Sequence, residues 1–136
     1  MKKVLSLLLF LLFVLTRLSA QETKIKVACI GNSITFGAGI KDRANHSYPS
    51  ILGRMLGKDY EVQNFGVSAR TLLNKGDHPY MKEVQFQDVL NYQPDIVVIK
   101  LGTNDTKPQN WKYKNEYQSD MEQMVNAFHS LSSHPR

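Results

Sequence analysis

The stretch that decides the fold is "IKVACIGNSITFG", residues 25–37. It begins with the apolar, β-branched run Ile25–Ile30, which has the composition of a buried strand, and Gly31 ends that run. The polar residues Asn32 and Ser33 follow without a linker, so a sharp turn is predicted to present a serine at the tip of a strand. Such a tip suits a reactive side chain, and the rest of the chain must show whether Ser33 is one.

The strand that precedes Ser33 is one of three in the predicted fold. The others are Tyr60–Phe65, "YEVQNF", and Ile96–Leu101, "IVVIKL". Apolar residues at helical spacing predict three helices, which cover 48–56 (with Ser47 as N-cap and Gly57 at the end), 82–92 (stopped by Pro94) and 116–131. Strands that alternate with helices predict an α/β fold, a three-layer α/β/α arrangement around a parallel sheet.

The first twenty residues have the order of a secretory signal peptide. Lys2 and Lys3 give a positive start, an apolar run follows, and Ala20 closes a small-residue cleavage site. We therefore expect the chain to be secreted or periplasmic, to begin at Gln21 when mature, and to keep no membrane span after cleavage. An uncleaved anchor is the alternative.

Charge and cysteine content narrow the class of partner. Three of the five net positive charges belong to residues 1–20, which leaves +2 for residues 21–136, and no basic run suggests nucleic acid. Cys29 is the only cysteine, so no internal disulfide is possible, and its place in the first strand predicts a small buried side chain.

The three strand ends carry the residues that acyl transfer by a serine needs. Ser33 follows the first strand, Gly66 the second and Asn104 the third, and the carboxyl ends of parallel strands share one edge of the sheet. Ser33 is the predicted nucleophile, while its own N–H, the N–H of Gly66 and the amide of Asn104 are the predicted donors to the oxyanion. This chemistry needs no metal or organic cofactor, and we expect none.

The blocks "GNSIT", "NFGVSART" and "GTND" resemble, in order and spacing, those of the SGNH or GDSL-type hydrolases. The resemblance implies a flavodoxin-like SGNH hydrolase fold, with Ser33 as nucleophile and Gly66 and Asn104 as oxyanion donors. Asn32 departs from the family pattern, which often has aspartate there. "SYPSIL", "NFGVSARTLL" and "KGDHPY" look most similar to bacterial carbohydrate esterases, including sialate O-acetylesterases, which implies a glycan or small-molecule ester substrate.

The family's general base, carried in a late Asp-x-x-His block, has no counterpart among the four histidines, His46, His78, His129 and His134. Three strands would also leave a sheet edge unprotected. We therefore expect residues 21–136 to be the N-terminal portion of an SGNH hydrolase domain, truncated after about three strands and inactive by itself.

Three other functions compete with a carbohydrate esterase. A lipase- or lysophospholipase-like esterase would use the same residues on longer acyl chains. A carbohydrate-binding protein without activity could share the fold. A nucleotide-binding module is disfavoured, because "GNSITFGAG" lacks the Gly-Lys-Ser/Thr ending of a phosphate loop and "GAGIKD" lacks the third glycine of the dinucleotide pattern.

Overall fold

The computed structural model describes residues 23–136. The predicted signal peptide, residues 1–20, and the predicted cleavage site lie outside the described residues. Within residues 23–136, no helix is long and apolar enough to span a bilayer.

Three strands and six α-helices follow one another along the described chain. They are β1 (Ile25–Gly31), α1 (Ser33–Phe36), α2 (Arg43–His46), α3 (Tyr48–Leu56), β2 (Tyr60–Gly66), α4 (Val84–Tyr92), β3 (Ile96–Lys100), α5 (Pro108–Trp111) and α6 (Tyr117–His129). Short 3₁₀ turns, Tyr80–Lys82 and Lys114–Glu116, precede α4 and α6. Each strand ends within one residue of its prediction.

The strands form a parallel sheet in the order β2-β1-β3. β1 is the central strand, and its residues from Val27 to Gly31 are buried. β2 and β3 lie on opposite sides of β1, so the order in which strands are added to the sheet reverses at β1. In such sheets, ligands bind at this switch point, beyond the carboxyl ends of the strands. The first residue after this end of β1 is Asn32, followed by Ser33.

Helices cover both faces of the sheet, as the sequence predicts. Ala28 and Ile30 of β1 pack in a core with Phe86 of α4 and Met124 and Phe128 of α6. The rings of Phe86 and Phe128 are 5.7 Å apart between centroids, which is a favourable aromatic contact.

The opposite face carries α3. Val27 and Val62 are register partners and so share this face, and Gly53 of α3 lies so close to Val62 that an added Cβ would be 3.4 Å from its Cβ. Cys29 is on the same face and is fully buried with a free thiol, which confirms its prediction as a small core residue.

Two of the predicted helices begin later than expected. The predicted start at Lys82 is wrong because Tyr80–Lys82 forms a 3₁₀ turn, and α4 begins at Val84. Residues 114–116 likewise form a 3₁₀ turn, so that α6 begins at Tyr117, and it ends at His129. Ser47 does occupy the N-cap of α3, but its Oγ lies 3.0 Å from the Oγ of Ser50 and does not cap the backbone.

Candidate active site

Ser33 is the first residue of α1, and the turn around it has little freedom. The Oδ1 of Asn32 accepts the N–H of Ile34 at 3.0 Å, and Gly37 ends the helix at φ 85°. Gly31 must be glycine, because an added Cβ would overlap Thr35 Oγ1 and lie 2.5 Å from the carbonyl oxygen of Lys100. Ser33 is half-buried, so its hydroxyl is held at the strand tip and still reaches solvent.

Asn32 itself is almost completely buried, and its Nδ2 has no hydrogen-bond acceptor among the described residues. An unpaired buried donor costs about 1–3 kcal/mol. The aspartate that the resemblance leads one to expect would place an acceptor there instead of a donor. The departure at this position therefore has a physical cost, although it leaves Ser33 in place.

Gly66, a predicted oxyanion donor, has an acceptor for its N–H within the chain. Its N–H donates to Oδ1 of Asn64 at 2.9 Å, while Nδ2 of Asn64 donates to the carbonyl of Thr35 at 2.8 Å. The Asn64 amide thus joins the end of β2 to the turn that carries Ser33. A Cβ on Gly66 would overlap the backbone N of Phe36, so glycine is required here for close packing.

The loop after β2 contains Ala69, whose backbone N–H is a second candidate donor to the oxyanion. Ala69 has φ 70°, in the left-handed region that alanine seldom adopts. The next residue, Arg70, is held by two contacts: its Nη1 donates to the carbonyl of Ser68 at 2.8 Å, and its Nε lies 2.8 Å from Glu83 Oε1. A strained conformation persists only where its surroundings hold it, and such residues cluster at functional sites.

Asn104 lies beside this loop. Its Nδ2 donates one hydrogen to the carbonyl of Arg70 at 2.9 Å, which fixes the orientation of the amide and leaves its second hydrogen available. The carbonyl of Asn104 accepts Nδ2 of Asn110 at 2.9 Å. Asn104 is therefore bound to Arg70, the residue after Ala69, and Asn104 as a whole is 8 % exposed.

Asp105 holds the two loops together. Its carboxylate is fully buried and accepts the N–H of Leu72 at 3.1 Å and that of Leu73 at 2.7 Å. These bonds cross from the loop after β3 to the loop after β2. The sequence contains Asp105 in the block "GTND" but gives no sign of this role, because the acceptor and its donors are more than thirty residues apart.

A second group of hydrogen bonds also joins the loop after β3 to the loop after β2. Asn110 donates to Asp77 Oδ1 at 2.9 Å and accepts the N–H of Asp77 at 2.9 Å. The hydrogen bond from Asn110 lowers the pKa of Asp77 from its ordinary value. Through Asn110, residues 77, 104 and 110 form one connected unit.

A small buried group lies beneath the Ser33 turn, on the α3 face. The hydroxyl of Tyr48 lies 3.2 Å from Oγ1 of Thr35, and burial raises the pKa of Tyr48 to about 12. Burial also raises the pKa of the Cys29 thiol. Both groups are therefore neutral at physiological pH, and they support the turn by packing.

No histidine ring is hydrogen-bonded to Ser33 Oγ in the part of the chain that the structure describes. Nδ1 of His46 lies 3.2 Å from the carbonyl oxygen of Asp42 and 3.6 Å from its carboxylate, on exposed helix α2. The other three histidines are exposed: His78 follows the Asp77 cluster, His129 ends α6, and His134 has φ 46°. The described residues also contain no group of three or more side chains suited to a metal ion.

One protein family matches most of this chain. Residues 29–136 match the GDSL-like Lipase/Acylhydrolase family. Over 107 residues the chain is 60% identical to a protein of Xylanibacter ruminicola named acetylxylan esterase, an alignment that covers 79% of this chain and 22% of that protein. The chain therefore spans less than a quarter of the length of this curated relative.

Solved structures show the same fold. A G-D-S-L family protein from Desulfitobacterium hafniense is 27% identical, with a TM-score of 0.62 over 82% of this chain and 56% of that one. An aryl esterase of M. smegmatis in its inhibitor-bound form has a TM-score of 0.64 at 23% identity, covering 83% of this chain and 60% of the other. A carbohydrate acetylesterase family member from Sinorhizobium meliloti has a TM-score of 0.59 at 23% identity, over 79% and 55% of the two chains. The predicted α/β fold with a parallel sheet is thus confirmed.

Proposed function

This chain belongs to the GDSL-like lipase/acylhydrolase family, and from that premise we propose that it carries the nucleophile and oxyanion site of a serine esterase. The proposed substrates are short acyl esters, above all acetyl groups on carbohydrate hydroxyls. The observation that supports this most directly is the position of Ser33. It is held half-buried at the tip of the central strand, where the strand order reverses.

In the proposed reaction, Ser33 Oγ attacks the ester carbonyl carbon and forms a bond to it, while the hydroxyl proton passes to a base. The carbonyl oxygen becomes an oxyanion, the bond to the sugar oxygen breaks, and the sugar leaves with a proton. Water then hydrolyses the acyl-serine in the same way, which releases acetate and restores Ser33.

The donors to the oxyanion are proposed to be the N–H of Ser33, the N–H of Ala69 and the Nδ2 of Asn104. Gly66 is replaced in this set because its N–H already has an acceptor in Asn64. Ala69 is favoured because it directly precedes Arg70, whose carbonyl oxygen accepts the Asn104 amide, so that both candidate donors belong to the same pair of joined loops. Ala69 also has a strained φ, which the surrounding contacts must hold in place. Strained residues of this kind cluster at functional sites, which supports a role for its N–H.

The substrate class rests on the relatives. The name of the X. ruminicola protein supports acetylated xylan, and the motif resemblance to sialate O-acetylesterases supports acetylated sialic acid, so acetylated sugars are the class common to both. A lipase-like preference for long acyl chains is the second candidate.

We also propose that the protein is exported and that its mature form begins at Gln21, which N-terminal sequencing of secreted protein would test.

The test uses the protein at its full natural length with 4-nitrophenyl esters of increasing chain length and a fluorophosphonate probe. We expect rapid labelling, and turnover that is highest for acetate and absent in Ser33→Ala. Ser119→Ala, an exposed serine of α6, serves as the matched control and should leave both unchanged. Full activity in Ser33→Ala would overturn the mechanism, and a preference for long chains would select the lipase-like alternative.

A further inference from the structure

An open cavity of about 390 Å³ lies beside the Ser33 turn. Gly66 and Phe36 line it, and these two residues are in direct contact, because Gly66 packs on the backbone N of Phe36. Phe36 follows Ser33 by one helical turn. The cavity is therefore about one helical turn, ~5 Å, from the proposed nucleophile, which is not itself among the lining residues. Its volume falls in the range of about 300–1,000 Å³ that small-molecule sites occupy.

Arg43 gives this cavity its charge. Its guanidinium carbon lies 3.8 Å from the centroid of the Phe36 ring, a stacked cation–π contact. Its side-chain stem lies against Gly37, where an added Cβ would be 3.4 Å from Cγ of Arg43. The ring and the glycine thus hold a long side chain in place and leave the N–H groups around the guanidinium edge for a ligand.

The charge of Arg43 has no protein partner in the described part of the chain. No carboxylate lies within 4 Å of its guanidinium, since the neighbouring Asp42 contacts Asn45 and His46 instead. The other polar side chains that line the cavity, which are Ser47, Ser50, Asn64 and Gln85, are uncharged. A guanidinium fork without a counter-ion, among neutral hydrogen-bonding groups, is suited to a carboxylate that belongs to a hydroxylated ligand.

We propose that this cavity binds the acceptor sugar of the ester, and that Arg43 binds a carboxylate carried by that sugar. The substrate class is thereby narrowed to O-acetylated acidic sugars. This inference rests on the esterase function proposed above, and it assigns Arg43 to substrate binding and not to the chemical step.

The experiment compares two substrates that differ only in the carboxylate: methyl glucuronoside and methyl glucoside, each with one acetyl group at the same hydroxyl. The enzyme at its full natural length is assayed alongside Arg43→Gln and Lys58→Gln. Lys58 is an exposed cation at the other end of the sheet, so its variant removes the same charge outside the cavity. 4-Nitrophenyl acetate, which has no carboxylate, serves as the third substrate.

Arg43→Gln should raise KM for the acetylated glucuronoside by about 2- to 5-fold, as expected for the loss of an ion pair that is exposed to solvent. The KM for the glucoside, which carries no carboxylate, should change less than the KM for the glucuronoside. Lys58→Gln should match the wild type, and the preference of the wild type for the glucuronoside should fall in 0.5 M salt, because Arg43 is exposed.

The outcomes separate this inference from the function on which it depends. Ser33-dependent hydrolysis with equal KM for the two sugars, or an equal effect of Arg43→Gln on both, refutes the role of Arg43 and leaves the esterase intact. If the wild type hydrolyses none of the three esters, the proposed function itself fails.

Discussion

Replacement of Asp105 by asparagine should destabilise the protein substantially, although the two side chains have almost the same shape. The Asp105 carboxylate accepts one N–H with each oxygen, from Leu72 at 3.1 Å and from Leu73 at 2.7 Å. Hydrogen bonds to a charged group contribute about 1.5–3 kcal/mol each. Asparagine retains one acceptor of ordinary strength, and its NH₂ group faces the remaining N–H.

The size of the effect follows from these contacts. One charge-assisted bond weakens to about 1 kcal/mol, and the other is replaced by a buried donor without an acceptor, at a cost of about 1–3 kcal/mol. Relief from burying a charge offsets part of this loss. We therefore expect Asp105→Asn to lower the free energy of unfolding by about 2–4 kcal/mol, a large share of the ~5–15 kcal/mol typical of a domain.

Urea unfolding followed by circular dichroism measures this change, and the denaturation midpoint should fall while the slope stays constant. The melting temperature should fall by roughly 10 °C, at about 4 °C per kcal/mol. Asp59→Asn is the control, since that carboxylate is exposed and lies 4.0 Å from Lys58. A loss below about 0.5 kcal/mol for Asp105→Asn would show that the two backbone bonds do not hold the loops together.

Three further predictions concern the site and its supports. Gly66→Ala should lower the free energy of unfolding by about 3 kcal/mol, because its Cβ would overlap the backbone at Phe36; an unchanged urea midpoint would contradict this. Asn104→Ala, in the protein at its full natural length, should lower kcat by about 10²–10³, the usual cost of one oxyanion donor, and steady-state kinetics that show less than a threefold loss would exclude that role. Carboxyl NMR titration should give Asp77 a pKa below its ordinary value, and Asn110→Ala should move it back. Because the folded pKa is the lower one, the stability from this pair is present above the ordinary carboxyl pKa and is lost as pH falls through the folded pKa.

The sequence predicts the strands well and the helix starts less well. β1 is a mainly apolar, β-branched run that ends in glycine, so its limits follow from composition, whereas β2, YEVQNFG, is more polar but also ends in glycine. Both predictions are correct to within one residue. The starts of α4 and α6 are preceded by 3₁₀ turns, whose residues continue the helical pattern but not its hydrogen bonds.

The finer details of the site depend on contacts that no local pattern encodes. A glycine after a strand looks the same whether it offers an N–H or permits close packing, and at Gly66 only the contacts with Asn64 and Phe36 favour the second reading. Ala69 gives no signal of a positive φ, because alanine seldom adopts one. The proposed role of Arg43 depends on its stacking on Phe36, a contact that forms only in the folded turn.

The proposed oxyanion donors lie on segments that hydrogen bonds join to one another without the help of a catalytic base. The Ser33 turn is joined to β2 by Asn64, and the loop that contains Ala69 is joined to the β3 loop by Asp105 and by the Asn104 amide. None of these bonds involves a histidine. Donors held in this way do not have to reorganise when negative charge develops on the substrate oxygen, which is the main source of electrostatic catalysis. In the proposed mechanism the base supplies proton transfer to a site whose donors are already held, so loss of the base should lower kcat much more than it weakens substrate binding.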